Sequence, residues 1–153
     1  MRSIWTIIFF CLGVFHGNSA IADSWELVSQ EEMRRYGVGA KQMFRGSRDK
    51  PPELAPEIVV KSPETSSKIV SPTDINLVFL PKGGATILPK TFRVEYGALG
   101  LDVTERITSR YRPTESGLSV HQAGLPAGRH VFNLFIKDSA GRTGTKKLTV
   151  LVQ

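Results

Sequence analysis

Residues 124–152 read GLPAGRHVFNLFIKDSAGRTGTKKLTVLV. In residues 129–137, Phe132, Leu134 and Ile136 recur at every second position, the period of a strand with one buried face. The polar run Asp138-Ser139-Ala140-Gly141-Arg142 follows, its glycine able to take a positive φ, so the chain is expected to reverse there as a hairpin. Residues 146–152 then place Leu148, Val150 and Val152 on one side. A hairpin of two long amphipathic strands needs a second sheet to cover its apolar face, which points to an all-β fold.

The same period runs upstream. Ile58-Val59-Val60 opens a first strand, and a short edge segment at Ile69-Val70 stops at Pro72. In residues 74–80, Ile75, Leu77 and Phe79 share a face; in residues 91–96, Phe92, Val94 and Tyr96 point inward while Arg93 and Glu95 point outward. Leu118 and Val120 mark another strand over residues 117–121. Residues 99–107 fit either a helical turn beginning at Asp102-Val103-Thr104-Glu105 or a short strand at Leu101-Val103, with a strand or short turn preferred. About seven short strands separated by Gly/Pro turns are expected to form an antiparallel β-sandwich over residues 57–153.

Two strings sharpen this. Leu125-Pro126-Ala127-Gly128-Arg129-His130, an alternating strand, then Lys137-Asp138-Ser139-Ala140-Gly141-Arg142 and a closing strand resemble the end of bacterial immunoglobulin-like domains. Leu88-Pro89-Lys90-Thr91-Phe92-Arg93-Val94 is similar to the entry of a middle strand in that group. The resemblance covers about residues 56–153 and implies an immunoglobulin-like sandwich without the cysteine pair and core tryptophan of antibody domains. Such modules serve as spacers, adhesin stalks, accessories of carbohydrate enzymes and assembly parts, so the resemblance speaks to fold more than to function.

The amino terminus supplies an address. Arg2 precedes an apolar run at residues 4–14, about half a membrane span, and Ala20-Ile21-Ala22 gives the small-x-small pattern before Asp23. Residues 1–22 are expected to be a signal peptide cut after Ala22, which makes the protein periplasmic or secreted and not membrane-spanning after cleavage. Cys11 lacks a preceding small residue of the kind a lipidation site requires. Cleavage leaves 131 of the 153 residues and removes the only cysteine, which excludes thiolate zinc sites, thiol redox chemistry and a cysteine nucleophile. It also leaves 19 basic against 14 acidic residues, a scattered excess suited to a solvated surface or to weak affinity for anionic polymers. Nucleic acid is not an expected partner, because export removes the chain from the cytosol.

Residues 23–56 form a short helix and a Gly/Pro linker. The helix is read over residues 23–36, with Ser29 and Glu32 at capping-box spacing and Trp25, Val28, Met33 and Tyr36 as its apolar face. Gly37, Gly39 and Gly46, then Lys50-Pro51-Pro52-Glu53-Leu54-Ala55-Pro56, favour an extended spacer.

No catalytic, metal or cofactor site is expected. His121 and His130 stand alone as strand histidines, expected to be exposed; Ser119 and His121 share a strand face but lack a third group; Asp138 reads as a turn residue. Two binding surfaces are candidates. Val131, Phe135 and Leu151 form an apolar strip on the outward face of the last two strands, to be covered by the Trp25 helix or by a partner. Arg93, Arg106, Arg110 and Arg112 are a candidate anion-binding group. The expected function is a non-catalytic, exported protein-binding module of the cell envelope, with an accessory domain for an anionic or carbohydrate surface polymer as the alternative.

Overall fold

The computed structural model describes residues 25–37, 53–64 and 68–153. The cleavage residues Ala20, Ala22 and Asp23, and linker residues 38–52, lie outside it. Among the described residues nine strands and two short helices follow in the order β1 (Trp25–Glu26), α1 (Gln30–Tyr36), β2 (Glu57–Ser62), β3 (Lys68–Ile69), β4 (Thr73–Leu80), β5 (Ile87–Tyr96), β6 (Leu101–Asp102), α2 (Thr104–Thr108), β7 (Gly117–Gly124), β8 (Gly128–Asp138) and β9 (Thr143–Val152). They make two sheets, β1-β7-β4-β2 and β3-β9-β8-β5-β6, packed as a β-sandwich. Of the three strands only two residues long, β3 and β6 fall on short segments the sequence marked, while β1 lies in the stretch read as helix.

The alternating positions set the register. Phe132, Leu134 and Ile136 of β8, Phe92, Val94 and Tyr96 of β5, and Leu148, Val150 and Val152 of β9 are all buried on the inner face of the five-stranded sheet. Ile75, Leu77 and Phe79 of β4 and Leu118 and Val120 of β7 meet them from the other sheet. The Phe79 and Phe92 rings make the contact between sheets explicit, 5.7 Å apart and tilted by 41°. Pro89 stays within β5 because it falls where the pairing with β8 shifts between Leu88 and Arg93, so no ladder hydrogen bond is lost there. Gly141, at φ 76°, closes the β8–β9 hairpin, and Asp138 holds it by accepting from the amides of Ala140 and Arg142 at 3.0 and 2.9 Å.

Both readings of residues 99–107 hold in part. Leu101–Asp102 pairs with the end of β5, and Asp102 then accepts the amide of Thr104, the first residue of α2, at 2.8 Å.

The amino-terminal helix is shorter than its sequence suggests. Ser29 and Glu32 form the reciprocal capping box, which starts α1 at Gln30 and leaves the residues before it free for another use. Trp25 and Glu26 form β1, parallel to the end of β7, and Trp25, Leu27 and Val28 are buried in the common core. Trp25 is therefore a strand residue and not part of a helix face. Edge pairing prevails because it gives these backbone groups partners while burying three large side chains, more than a seven-residue helix achieves alone. At its other end α1 abuts the sandwich: the Ala98 amide donates to the Tyr36 carbonyl at 3.0 Å, and a Cβ on Gly97 would stand 1.9 Å from that same oxygen.

Candidate functional site

Sequence parity predicts which residues of β8 face away from the core, and the ladder places them in rows. Across β5, β8 and β9 the rows read Arg93, Phe135, Thr145, then Glu95, Asn133, Lys147, with Val131 opposite Thr149 and Arg129 opposite Leu151 beyond. Phe135 and Val131 are half-buried, and Leu151 is 39% exposed. These three share the outer face of the five-stranded sheet.

Trp25 is elsewhere. It lies on the edge of the four-stranded sheet, its indole Nε1 donating to the His121 carbonyl at 3.0 Å and its ring 6.0 Å from that of Tyr111. The amino-terminal segment thus docks on the sandwich without bringing Trp25 to Phe135; α1 reaches the start of β8, where a Cβ on Gly128 would stand 2.3 Å from the Met33 Cε. The separation follows from strand pairing: β1 adds to β7, which belongs to the opposite sheet from β8.

The four arginines have four different roles. Arg93 reaches across to Phe135, its guanidinium carbon 5.0 Å from the ring centroid, and pairs with Glu95 at 2.9 Å. Arg106 forks onto both oxygens of the Glu32 carboxylate at 2.8 and 2.5 Å and donates to the Leu27 carbonyl at 3.1 Å, so it is committed to an internal clamp between α2 and α1. That clamp holds Glu32 at a pKa of about 2, the Arg106 bond being the largest cause, and raises Arg106 in turn. Arg110 lies over the Trp25 ring, 5.4 Å from its centroid, and Arg112 is exposed. They do not gather into one anion-binding cluster.

What the structure does gather is a pair that sequence placed in separate sets. Arg93 and Phe135, with Thr91, Lys137 and Thr143, line a groove of about 410 Å³ on the outer face of the five-stranded sheet. Thr91 is spent on the scaffold: its hydroxyl donates to the Leu88 carbonyl at 2.7 Å and accepts the Lys137 amide at 2.9 Å. One row away, Asn133 is only 8% exposed and its Nδ2 has no acceptor among the described residues. Strand parity was enough to put Arg93 and Phe135 on the same side of their sheet, but the β5–β8 register that makes them direct partners comes from the structure.

The histidines divide. His130 is fully buried, not exposed: its Nε2 donates to the Pro126 carbonyl at 2.8 Å, which leaves Nδ1 to accept from the Tyr96 hydroxyl at 3.1 Å. Burial lowers its pKa, against the opposing effect of the Pro126 bond, and keeps the ring neutral. Burial also pushes Tyr96 up to about 12, with the Glu32 charge assisting. The parity of position 130, which matches Phe132 and Leu134, carries the signal for this inward placement.

His121 is exposed and its Nδ1 lies 3.3 Å from an Asp74 oxygen on the neighbouring strand. The other Asp74 oxygen accepts the amide of Gln122, which sits at φ 52°; that bond, then the His121 contact, lower the Asp74 pKa. Asp74 supplies the third group that the strand alone lacks, yet no hydrogen bond joins Ser119 to His121 among the described residues, and both ionisable groups are open to solvent. Among the described residues no three His, Cys, Asp or Glu side chains gather at metal-binding distance, and no helix is long and apolar enough to cross a membrane.

No protein-family model matches the chain, and no curated protein sequence does. Among solved structures, CopC from Methylosinus trichosporium OB3b is similar at 18% identity over 64% of this chain and 93% of its own, with a TM-score of 0.46. An engineered protein (15% identity, TM-score 0.44) and the endo-beta-1,4-mannanase from Thermotoga petrophila (12%, 0.45) match over 64% and 71% of this chain. The chain spans only 20% and 21% of those two proteins. At these values the likeness identifies neither a family nor an activity.

Proposed function

We propose that this chain is an exported, non-catalytic immunoglobulin-like module that makes a protein–protein contact in the cell envelope through the outer face of its five-stranded sheet. One observation carries the choice of face: a half-buried aromatic, Val131 and the exposed Leu151 lie there beside Lys137 and Lys147, which have no carboxylate partner among the described residues. The outer positions of β4 and β7 in the opposite sheet hold Asp74, Asn76, Ser119 and His121 together with Val78 and the exposed Leu80, so what sets the five-stranded face apart is the aromatic Phe135 in its groove beside lysines. An aromatic side chain in a cationic groove suits a docking surface.

The immunoglobulin-like reading is supported by the strand order. The first long strand, β2, pairs with β4 in one sheet, and the chain then crosses as β3 to run parallel to the last strand, β9, in the other. Export is supported by residues 1–22. Crosslinking in intact envelopes followed by affinity purification tests the function: recovery of one dominant protein, lost in a folded Leu151→Glu variant, supports it. Recovery of glycan or lipid alone overturns it in favour of a polymer-binding accessory domain.

A further inference from the structure

We infer that the groove between Arg93, Phe135 and Lys137 is a carboxylate-binding subsite that receives an acidic side chain from an extended segment of the protein partner. This rests on the protein-contact reading and names the chemistry of its central contact.

Three features carry it. The groove is framed by two cations, of which Lys137 has no carboxylate partner among the described residues and Arg93 gives only one terminal nitrogen to Glu95. The Phe135 ring beneath the Arg93 guanidinium and the Glu95 pair restrain the fork, and a restrained fork loses less freedom when a carboxylate docks on its remaining N–H groups. At about 410 Å³ the groove holds a side chain with its flanking backbone, well beyond a single small anion.

The surroundings favour a peptide over a polysaccharide. A sugar needs hydroxyl partners and an open aromatic plane, but the Thr91 hydroxyl is already engaged and one side of Phe135 is occupied by Arg93. Along β8, Val131 and, diagonally across from it on β9, Leu151 continue an apolar path beyond the groove. An occupant whose every second residue runs from acidic to apolar meets these, because its side chains on one face advance about 7 Å per pair of residues, close to the spacing between alternate outward positions on β8.

The test is an NMR titration of the 15N-labelled mature chain with a five-residue peptide carrying glutamate at its first and third positions, leucine at its fifth and serine between, set beside an oligogalacturonate of equal charge. Shifts should centre on Arg93, Phe135 and Lys137 with the peptide, and Lys137→Gln and Arg93→Gln should each weaken its binding about threefold to fivefold while Lys137→Arg retains it. Tighter binding of the oligogalacturonate, absence of peptide binding, or indifference to Lys137→Gln overturns the assignment. In envelopes, Lys137→Gln should reduce recovery of the crosslinked protein. Undiminished recovery overturns the subsite and leaves the protein-contact reading standing. Peptide binding with the expected variant pattern but no captured protein supports the subsite and overturns the envelope reading.

Discussion

Replacing Glu32 with Gln keeps the shape of the α1 cap and removes only its charge. The amide still accepts from the Ser29 backbone at the third helical position, so helix capping survives, and what is lost is the fork from Arg106. Glu32 is lowered from 4.5 to about 2. At about 1.36 kcal/mol per pH unit this corresponds to roughly 3.4 kcal/mol of linkage. Arg106 is 39% exposed, so solvent screening reduces the measurable part to about 1–2 kcal/mol. A carboxylate with a depressed native pKa contributes stability above its unfolded value and loses it as pH falls through the native one. The wild-type advantage over Glu32→Gln should therefore be full at pH 7, shrink below pH 4.5 and vanish near pH 2. Urea unfolding of both proteins at pH 7, 4 and 2.5 measures it. Equal stability at pH 7, or a difference that persists unchanged at pH 2.5, refutes the clamp as the tie between α1 and α2.

Tyr96→Phe should cost about 1–3 kcal/mol in urea unfolding, because it leaves His130 Nδ1 buried without its donor. Wild type should also lose stability as pH rises from 10 toward 12, where the unfolded phenol ionises and the buried one does not, and the variant should lack that loss. Below pH 6.5 His130 should make the native state less favourable, since the unfolded ring takes up a proton that the buried one refuses; replacement of His130 by Gln should flatten that limb of the stability profile. Trp25→Ala should destabilise by about 3–5 kcal/mol, and a loss under about 1 kcal/mol would show that β1 is not part of the core. Gly97→Ala should speed hydrogen exchange at the Ala98 amide, because the new Cβ meets the Tyr36 carbonyl that this amide bonds.

The long strands were legible because burial on one side of a sheet writes itself as a period of two: Phe132, Leu134 and Ile136 needed no partner to be assigned. Ser29 and Glu32 were equally local, three residues apart and sufficient to start a helix. What escaped was long-range. Trp25 and Glu26 form a strand only because β7, almost a hundred residues later, offers an edge, and no local preference anticipates that. Arg106 looked like a surface cation until folding brought Glu32 within reach, and His130 looked exposed although its parity already placed it inward. The candidate site was half legible: Arg93 and Phe135 could each be assigned outward, but their pairing depends on the β5–β8 register, which the shift near Pro89 moves out of any simple count.

The most direct measurement is site-specific photo-crosslinking in living cells, with the photoreactive side chain placed in turn at Thr145 on the five-stranded sheet and at Asn76 on the four-stranded one. The account predicts a discrete protein adduct from position 145 that is weakened by Lys137→Gln, and none from position 76. A protein adduct from position 76 alone, or none from either face, would contradict it.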